Sequence, residues 1–116
     1  MIYVDRAVHR WRDKLWCHMF GDSFEELHEF ADQLGLKREW FQVPPYCNTP
    51  HYDLHEATRE LAIALGAVEL HSRQEVVRRM GHMAKLWREE TGEELRIEAM
   101  SHRFLARRES RLVSQD

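Results

Sequence analysis

"HYDLHEATRELAIALGA", residues 51–67, holds the choice on which the fold turns. Ala57, Leu61, Ala64 and Leu65 recur at three- and four-residue spacing and Gly66 follows, so the stretch reads as an amphipathic helix with its leucines against a sheet. A His-Tyr-Asp triplet stands directly in front of it. Asp53 is a good helix cap, because its carboxylate can accept the free N–H groups of a first turn, and on that reading the triplet is the helix entrance. A chemical reading competes with it. His51 and Asp53 are two residues apart, and in extended backbone that spacing puts both side chains on one side.

Outward from this segment the chain alternates short apolar runs with helical stripes. "IYVD" (2–5) and "LWCHM" (15–19) read as strands, and the basic, tryptophan-containing stretch from Ala7 to Lys14 reads as a loop or exposed edge. In "GDSFEELHEFADQLGL" (21–36), Phe24, Leu27, Phe30, Ala31 and Leu34 form one stripe, Ser23 with Glu26 suggests a capping box, and Gly35 is a natural stop. "REWFQ" (38–42) reads as a strand, followed by a loop from Val43 to Pro50. "AVEL" (67–70) is a further strand, Ser72 with Glu75 a second capping box, and Val76, Val77, Met80, Met83, Ala84 and Trp87 the buried face of a third helix. "LRIEAM" (95–100) alternates like an added strand, and the polar remainder reads as a marginal helix or partner arm, so that a chain ending before Ser101 should still fold.

A weak repeat organises these elements. Laying Leu34-Gly35 over Leu65-Gly66 aligns Asp22 with Asp53 and His28 with Arg59, each unit being acidic cap, apolar helix, glycine and strand. Two such units predict successive βαβ crossovers. The expected fold is therefore α/β: a small, mostly parallel sheet of about four strands with three main helices, one core domain over residues 1–90, and a C-terminal extension over 91–116. In such sheets ligands bind at the carboxyl edge of the strands, which would gather Asp5, His18, Gln42, His51, Tyr52, Asp53 and His71 on one rim.

Composition narrows the function. A chain of 116 residues with 43% hydrophobic and 32% charged residues is an ordinary folded domain, and no apolar run approaches the ~20 residues of a membrane span. The amino terminus, "MIYVDRAVHRW", lacks the long apolar stretch of a secretory signal, which makes the cytoplasm the expected compartment and reduced thiols the expected state of Cys17 and Cys47. A net charge of −3 supplies no field for nucleic acid, and the Arg78-Arg79 and Arg107-Arg108 pairs are interspersed with glutamates like solvated helix faces.

No HExxH, paired CxxC, Walker loop, GxSxG or GxGxxG motif is present. Each rim residue has a structural reading beside its chemical one. Asp53 caps a helix or binds a ligand; His51 bonds a loop carbonyl or donates to a substrate; Tyr52 is a core aromatic or a stacking surface. His18, inside an apolar run, is a satisfied structural histidine or a ligand, and Arg59 is a polar-face residue or an anion contact. Asp5, His18, His51 and Asp53 have the mixed nitrogen and oxygen donors of a divalent-metal site. A Cys47–His51 nucleophilic pair lacks any activating context.

Taken in order, "YVD", "CHM" with Asp22, "ELH", "WFQ", "PP", "HYD" with Arg59 and "GAVE" resemble a short bacterial and phage family known as domain of unknown function 4031, over about residues 2 to 80. The resemblance implies no activity. It implies only that Asp5, His18, Asp22, His28, Gln42, His51, Tyr52, Asp53 and Arg59 occupy motif positions, while the basic Arg6–Lys14 connection departs from the pattern. Two functional classes follow, with a third behind them. The favoured one is a domain binding a small anionic, nucleotide-like ligand, with Arg59 on phosphate, His51 donating, and Tyr52 or Trp40 stacking a base. The second is a metal-dependent or acid–base hydrolase or transferase using Asp5, His18, His51 and Asp53, and the third is a protein–protein interaction module presenting the C-terminal extension.

Overall fold

The apolar run after the basic stretch becomes the spine of the sheet. In the computed structural model, which describes residues 1–114 and side chains as far as Ser110, strand β3 (Lys14–Gly21) is paired along both edges. On one edge lie β1 (Ile2–Val4) and β2 (His9–Trp11), antiparallel to its two halves; on the other lies β4 (Tyr52–His55), also antiparallel. Shared partners settle this arrangement: Met19 pairs with both Val4 and Tyr52, and Trp16 with both His9 and His55. A fifth strand, β5 (Val68–Glu69), runs parallel to β1 on its far side.

The sheet is thus mixed and mostly antiparallel, where the repeat predicts a mostly parallel one. The helix-glycine units do match, but strand direction depends on how the chain returns after Gly35. There "REWFQ" is a 3₁₀ turn (Arg38–Trp40) rather than a strand, and only Gln42 bridges to His51. The loop then re-enters against β3 instead of crossing to a parallel position. One crossover of the expected kind survives, β4 to β5, through α2 (Glu56–Ala64). The Arg6–Lys14 stretch is an edge hairpin, and its tip residues Arg12 and Asp13 have φ of 49° and 59°, as a two-residue loop between right-twisted strands requires.

The triplet is therefore not the helix entrance. Tyr52 and Asp53 lie inside β4, and the residue capping α2 is His55, which makes no capping side-chain bond. The face of α2 is also turned. Leu61 and Leu65 are each 47% exposed, whereas Ala62 is fully buried and Arg59 and Ile63 lie inward. Arg59 lies on the inward side because it has partners there: its Nε donates to the Asp5 carbonyl at 2.7 Å and its Nη2 to Glu69 at 3.2 Å, which ties that side of α2 to β5 and the end of β1.

Helix α1 (Phe24–Gln33) follows its predicted stripe, with Leu27 and Ala31 buried and Gly35 at φ 76° beyond its end. Its capping box is half made: Ser23 accepts from the Glu26 N–H at 3.1 Å, but the Glu26 carboxylate turns to the Met1 amino group. Ser72 and Glu75 form the complete box that starts α3 (Arg73–Thr91). "LRIEAM" enters a helix, α4 (Arg96–Ser114), not a strand. Its alternation is too short to compete with a run of good helix formers in which Ile97, Ser101, Phe104 and Leu105 make one inward stripe. Ser101 is 1% exposed and rests on Gly81 of α3, while Arg88 grips Glu98 through two 3.0 Å hydrogen bonds. Residues 115–116 of the predicted arm lie outside the described residues.

Two stability predictions follow from this packing. Leu61→Ala should change unfolding free energy by no more than about 0.5 kcal/mol, as a surface substitution does, while Met83→Ala, from a fully buried position, should cost on the order of 2–5 kcal/mol in a urea titration. At the helix crossing, a Cβ on Gly81 would overlap the Ser101 Oγ and stand 2.9 Å from its Cβ. Gly81→Ala should therefore destabilise by roughly 1–3 kcal/mol despite its better helix propensity. Adding Ser101→Gly should restore most of that loss; a double variant no more stable than the single one would show that the crossing tolerates no closer approach.

Candidate functional site

Strand alternation puts a row of polar side chains on one face of the sheet. His9 is paired with Trp16 and Trp16 with His55, while His18 is paired with Asp53, so these residues share that face with His51 two positions before Asp53. Buried Cys17, Met19, Tyr52 and Leu54 point the other way, into the core. The cluster lies on the sheet face in mid-strand, not at the carboxyl edge.

One donor atom each from His18, His51 and Asp53 falls within 4.8 Å of the others. Both imidazoles are held from behind. The Asp5 carboxylate is 2.7 Å from the His18 Nδ1 and also accepts the His18 backbone N–H at 2.6 Å, where the break between β1 and β2 leaves that group without a strand partner. The His51 Nδ1 is 2.6 Å from the Thr49 carbonyl oxygen, an acceptor with no proton to give, so the imidazole is the donor. Each ring thus has its Nδ1 engaged and its Nε2 as the remaining ligand atom. Asp53 completes the group, its second oxygen accepting from the Gln42 amide.

These contacts set the charge states. Burial alone would lower the His18 imidazole; the hydrogen bond and charge of Asp5, with the charge of Asp53, prevail and raise it above 6.5. Burial likewise would raise the Asp53 carboxyl, but the hydrogen bond and charge of His51, with His18 and Gln42, hold it below the usual carboxylate range. Burial pushes the Cys17 thiol up to about 12 and raises Cys47, whose Sγ donates to the Thr49 carbonyl. Neither thiol is activated as a nucleophile.

Above the cluster is a cleft of ≈ 830 Å³, bordered by Trp11, Trp16, Trp40, His9 and His55. Of the seven residues singled out as ligand contacts, His18, Gln42, His51 and Asp53 line this cleft, and Asp5 stands directly behind His18. Tyr52 and Arg59 do not. Tyr52 is 1% exposed with its hydroxyl 2.8 Å from the His28 Nδ1, and Arg59 is committed to Asp5 and Glu69. His28, the residue aligned with Arg59 in the repeat, is buried between Tyr52 and Phe41. Asp22 anchors elsewhere, accepting from Tyr3, Arg79 and, through its backbone carbonyl, His82. His71 is exposed beside the α3 cap. The sequence reading missed His9, Trp16 and His55 as neighbours of the cluster, although the alternation through residues 14–18 and 51–55 carries the signal.

The model of a family described as "Protein of unknown function (DUF4031)" matches residues 2–83. The chain belongs to this family. No curated protein and no solved structure matches it. In this DUF4031 member the matched segment contains the whole His18–His51–Asp53 cluster with Asp5, and it ends inside α3, leaving α4 beyond the family core. No helix among the described residues is long and apolar enough to cross a membrane.

His18 and His28 should titrate on opposite sides of the ordinary histidine value. Burial and the nearby Arg38 charge lower His28 below 6.5, whereas His18 is raised. The signs for stability are opposite too: the His18 contribution is full below pH 6.5 and is lost as pH rises through its folded value, while that of His28 is full above 6.5 and is lost as pH falls. A histidine NMR titration of metal-free protein checks this directly. Midpoints for both rings on the same side of 6.5 would contradict the described hydrogen bonding.

Proposed function

We propose that this domain is a divalent-metal-dependent hydrolase whose ion is held by the His18 Nε2, the His51 Nε2 and the Asp53 carboxylate, with Asp5 orienting His18. One observation carries the reading. The His51 Nε2 stands 3.1 Å from the Asp53 Oδ1 while its Nδ1 already donates to a carbonyl. With a second proton on the ring the pair is the hydrogen bond that holds Asp53 acidic; without it a lone pair faces the carboxylate, and a cation between the two atoms takes the place of that proton. Ligands about 2.0–2.2 Å from a tetrahedral zinc stand roughly 3.3–3.6 Å from one another, close to this separation.

The surroundings support the same reading. Metal-bound histidines usually have the other ring nitrogen hydrogen-bonded to a carboxylate or backbone carbonyl, and His18 and His51 show one of each. Three protein ligands beneath an open cleft leave coordination positions for substrate, as catalytic sites do and closed structural sites do not. An ion bound there would supply Lewis-acid activation of water or of a substrate carbonyl or phosphoryl oxygen. Asp5 would hold the neutral His18 ring in the tautomer with its proton on Nδ1, leaving the Nε2 lone pair aimed at the ion, Gln42 would hold the Asp53 carboxylate in place, and His9, whose ring centre is 4.9 Å from that of His18, borders the cleft where a proton must move. The anionic-ligand reading loses its main support, because Arg59 is committed to Asp5 and Glu69, Tyr52 is buried in the core, and Asp53 lies in a strand and not at a helix entrance.

Isothermal titration with zinc, and cobalt absorption spectra, test this reading. The wild-type chain should bind one ion, His51→Ala and Asp53→Asn should abolish binding while remaining folded, and Asp5→Asn should weaken it about 10- to 100-fold. Affinity should fall on acidification as the imidazoles protonate. A chain that takes up neither zinc nor cobalt would return the cluster to a hydrogen-bonded structural role.

A further inference from the structure

We infer that the cleft over the cluster seats an uncharged, planar aromatic ring between Trp11 and Trp40, making the substrate an aryl or heteroaryl compound whose hydrolysable bond adjoins that ring. The placement of the two indoles is the first argument. Across the sheet face the order is β2, β3, β4 and then the Gln42 bridge, with Trp11 in the first and Trp40 two residues before the last. The tryptophans thus approach from opposite edges of the face, and His18, His51 and Asp53 lie between them. A ring held there would present a substituent to the ligand atoms directly.

Exposure is the second. Trp11 is 56% and Trp40 51% exposed at the mouth of one cleft, each with a cation over its ring (Arg12 at 4.4 Å and Lys37 at 5.6 Å from the ring centres) and the rest of the indole open, with Leu34 and Leu36 continuing the apolar wall. Trp16 beneath them donates its indole N–H to the Trp11 carbonyl at 2.9 Å, so the donor is satisfied within the hairpin and the ring offers the cleft its aromatic surface. A volume of ≈ 830 Å³ falls in the ordinary range for small-molecule sites.

Charge decides against a polyanion. Away from the cluster, the formally charged residues lining the cleft are Arg12 and Glu39, one of each sign, and the Arg12 guanidinium lies over the Trp11 ring at 4.4 Å. A polyphosphate needs several convergent cations, and a flat neutral ring needs only stacking surfaces. Hydrolysis of a ring-bearing amide or ester fits both ends of the site: water divides across the acyl bond to give acid and amine or alcohol, with no further co-reactant.

The reacting end of this substrate rests on the metal reading, but the ring seat does not require the ion, and that separates the tests. Benzamide, cyclohexanecarboxamide and phenylphosphonate should be titrated into the full chain after EDTA treatment, following the tryptophan indole N–H signals by NMR. Benzamide should bind at least about fivefold more tightly than its saturated counterpart, and phenylphosphonate no more tightly than benzamide. Trp11→Ala and Trp40→Ala should each raise the benzamide Kd by about fivefold or more, as loss of a stacking ring does, whereas Trp40→Phe should restore most of the affinity. Zinc uptake by both alanine variants should be unchanged. Equal affinity for benzamide and cyclohexanecarboxamide, or a benzamide Kd untouched in both alanine variants, would overturn the ring seat even if zinc binds. Benzamide selectivity that persists in a chain taking up no zinc would uphold the seat and reject the metal reading alone.

Discussion

The Asp5 carboxylate joins the architecture of this domain to its chemistry. It occupies the break between β1 and β2, where the edge strand leaves β3 and a backbone N–H would otherwise go unpaired in a nearly dry environment. By accepting that N–H and the His18 ring nitrogen together, the carboxylate closes the sheet edge and fixes the imidazole in one tautomer and one orientation. Its own carbonyl accepts from Arg59, which ties the inward side of α2 to the same point. Sheet continuity, helix anchoring and histidine alignment therefore all depend on one residue.

The cluster is built on strands, and that governs its precision. His18 and Asp53 are register partners on adjacent strands, and His51 is fixed by its bridge to Gln42, so the separations among the three follow from sheet geometry and not from loop conformation. Sites on regular elements hold their geometry better than sites on loops. The wall above it is drawn from the β2–β3 hairpin, the end of α1 and the 3₁₀ turn.

The helical hairpin of α3 and α4 stands apart from this chemistry. Its crossing is set by a small-residue contact, Gly81 against Ser101, and by the Arg88–Glu98 ion pair near its turn. The family match covers the sheet, α1, α2 and the first part of α3, so α4 extends a core that already contains every residue of the cluster. The buried serine nevertheless makes the added helix a packed part of the fold and not a loose arm.

The sequence by itself determined the elements that depend on local physics. The stripe of α1, the Ser72–Glu75 box and the strands around Val4 and Cys17 are legible because periodicity and capping are properties of neighbouring residues. The ordered motifs identified the family for the same reason, and His18, His51 and Asp53 stood out as metal-ligating types. Only the tertiary structure decided what those residues share. The direction of β4 depends on the return path after Gly35, which local pattern does not encode, and that direction turned Asp53 from a helix cap into a strand residue opposite His18. The same pairing sent Tyr52 into the core, since adjacent strand residues face opposite ways. Arg59 read as an available cation because its partners, the Asp5 carbonyl and Glu69, are distant in the chain or on another element, and an ion pair between such residues leaves no periodic trace.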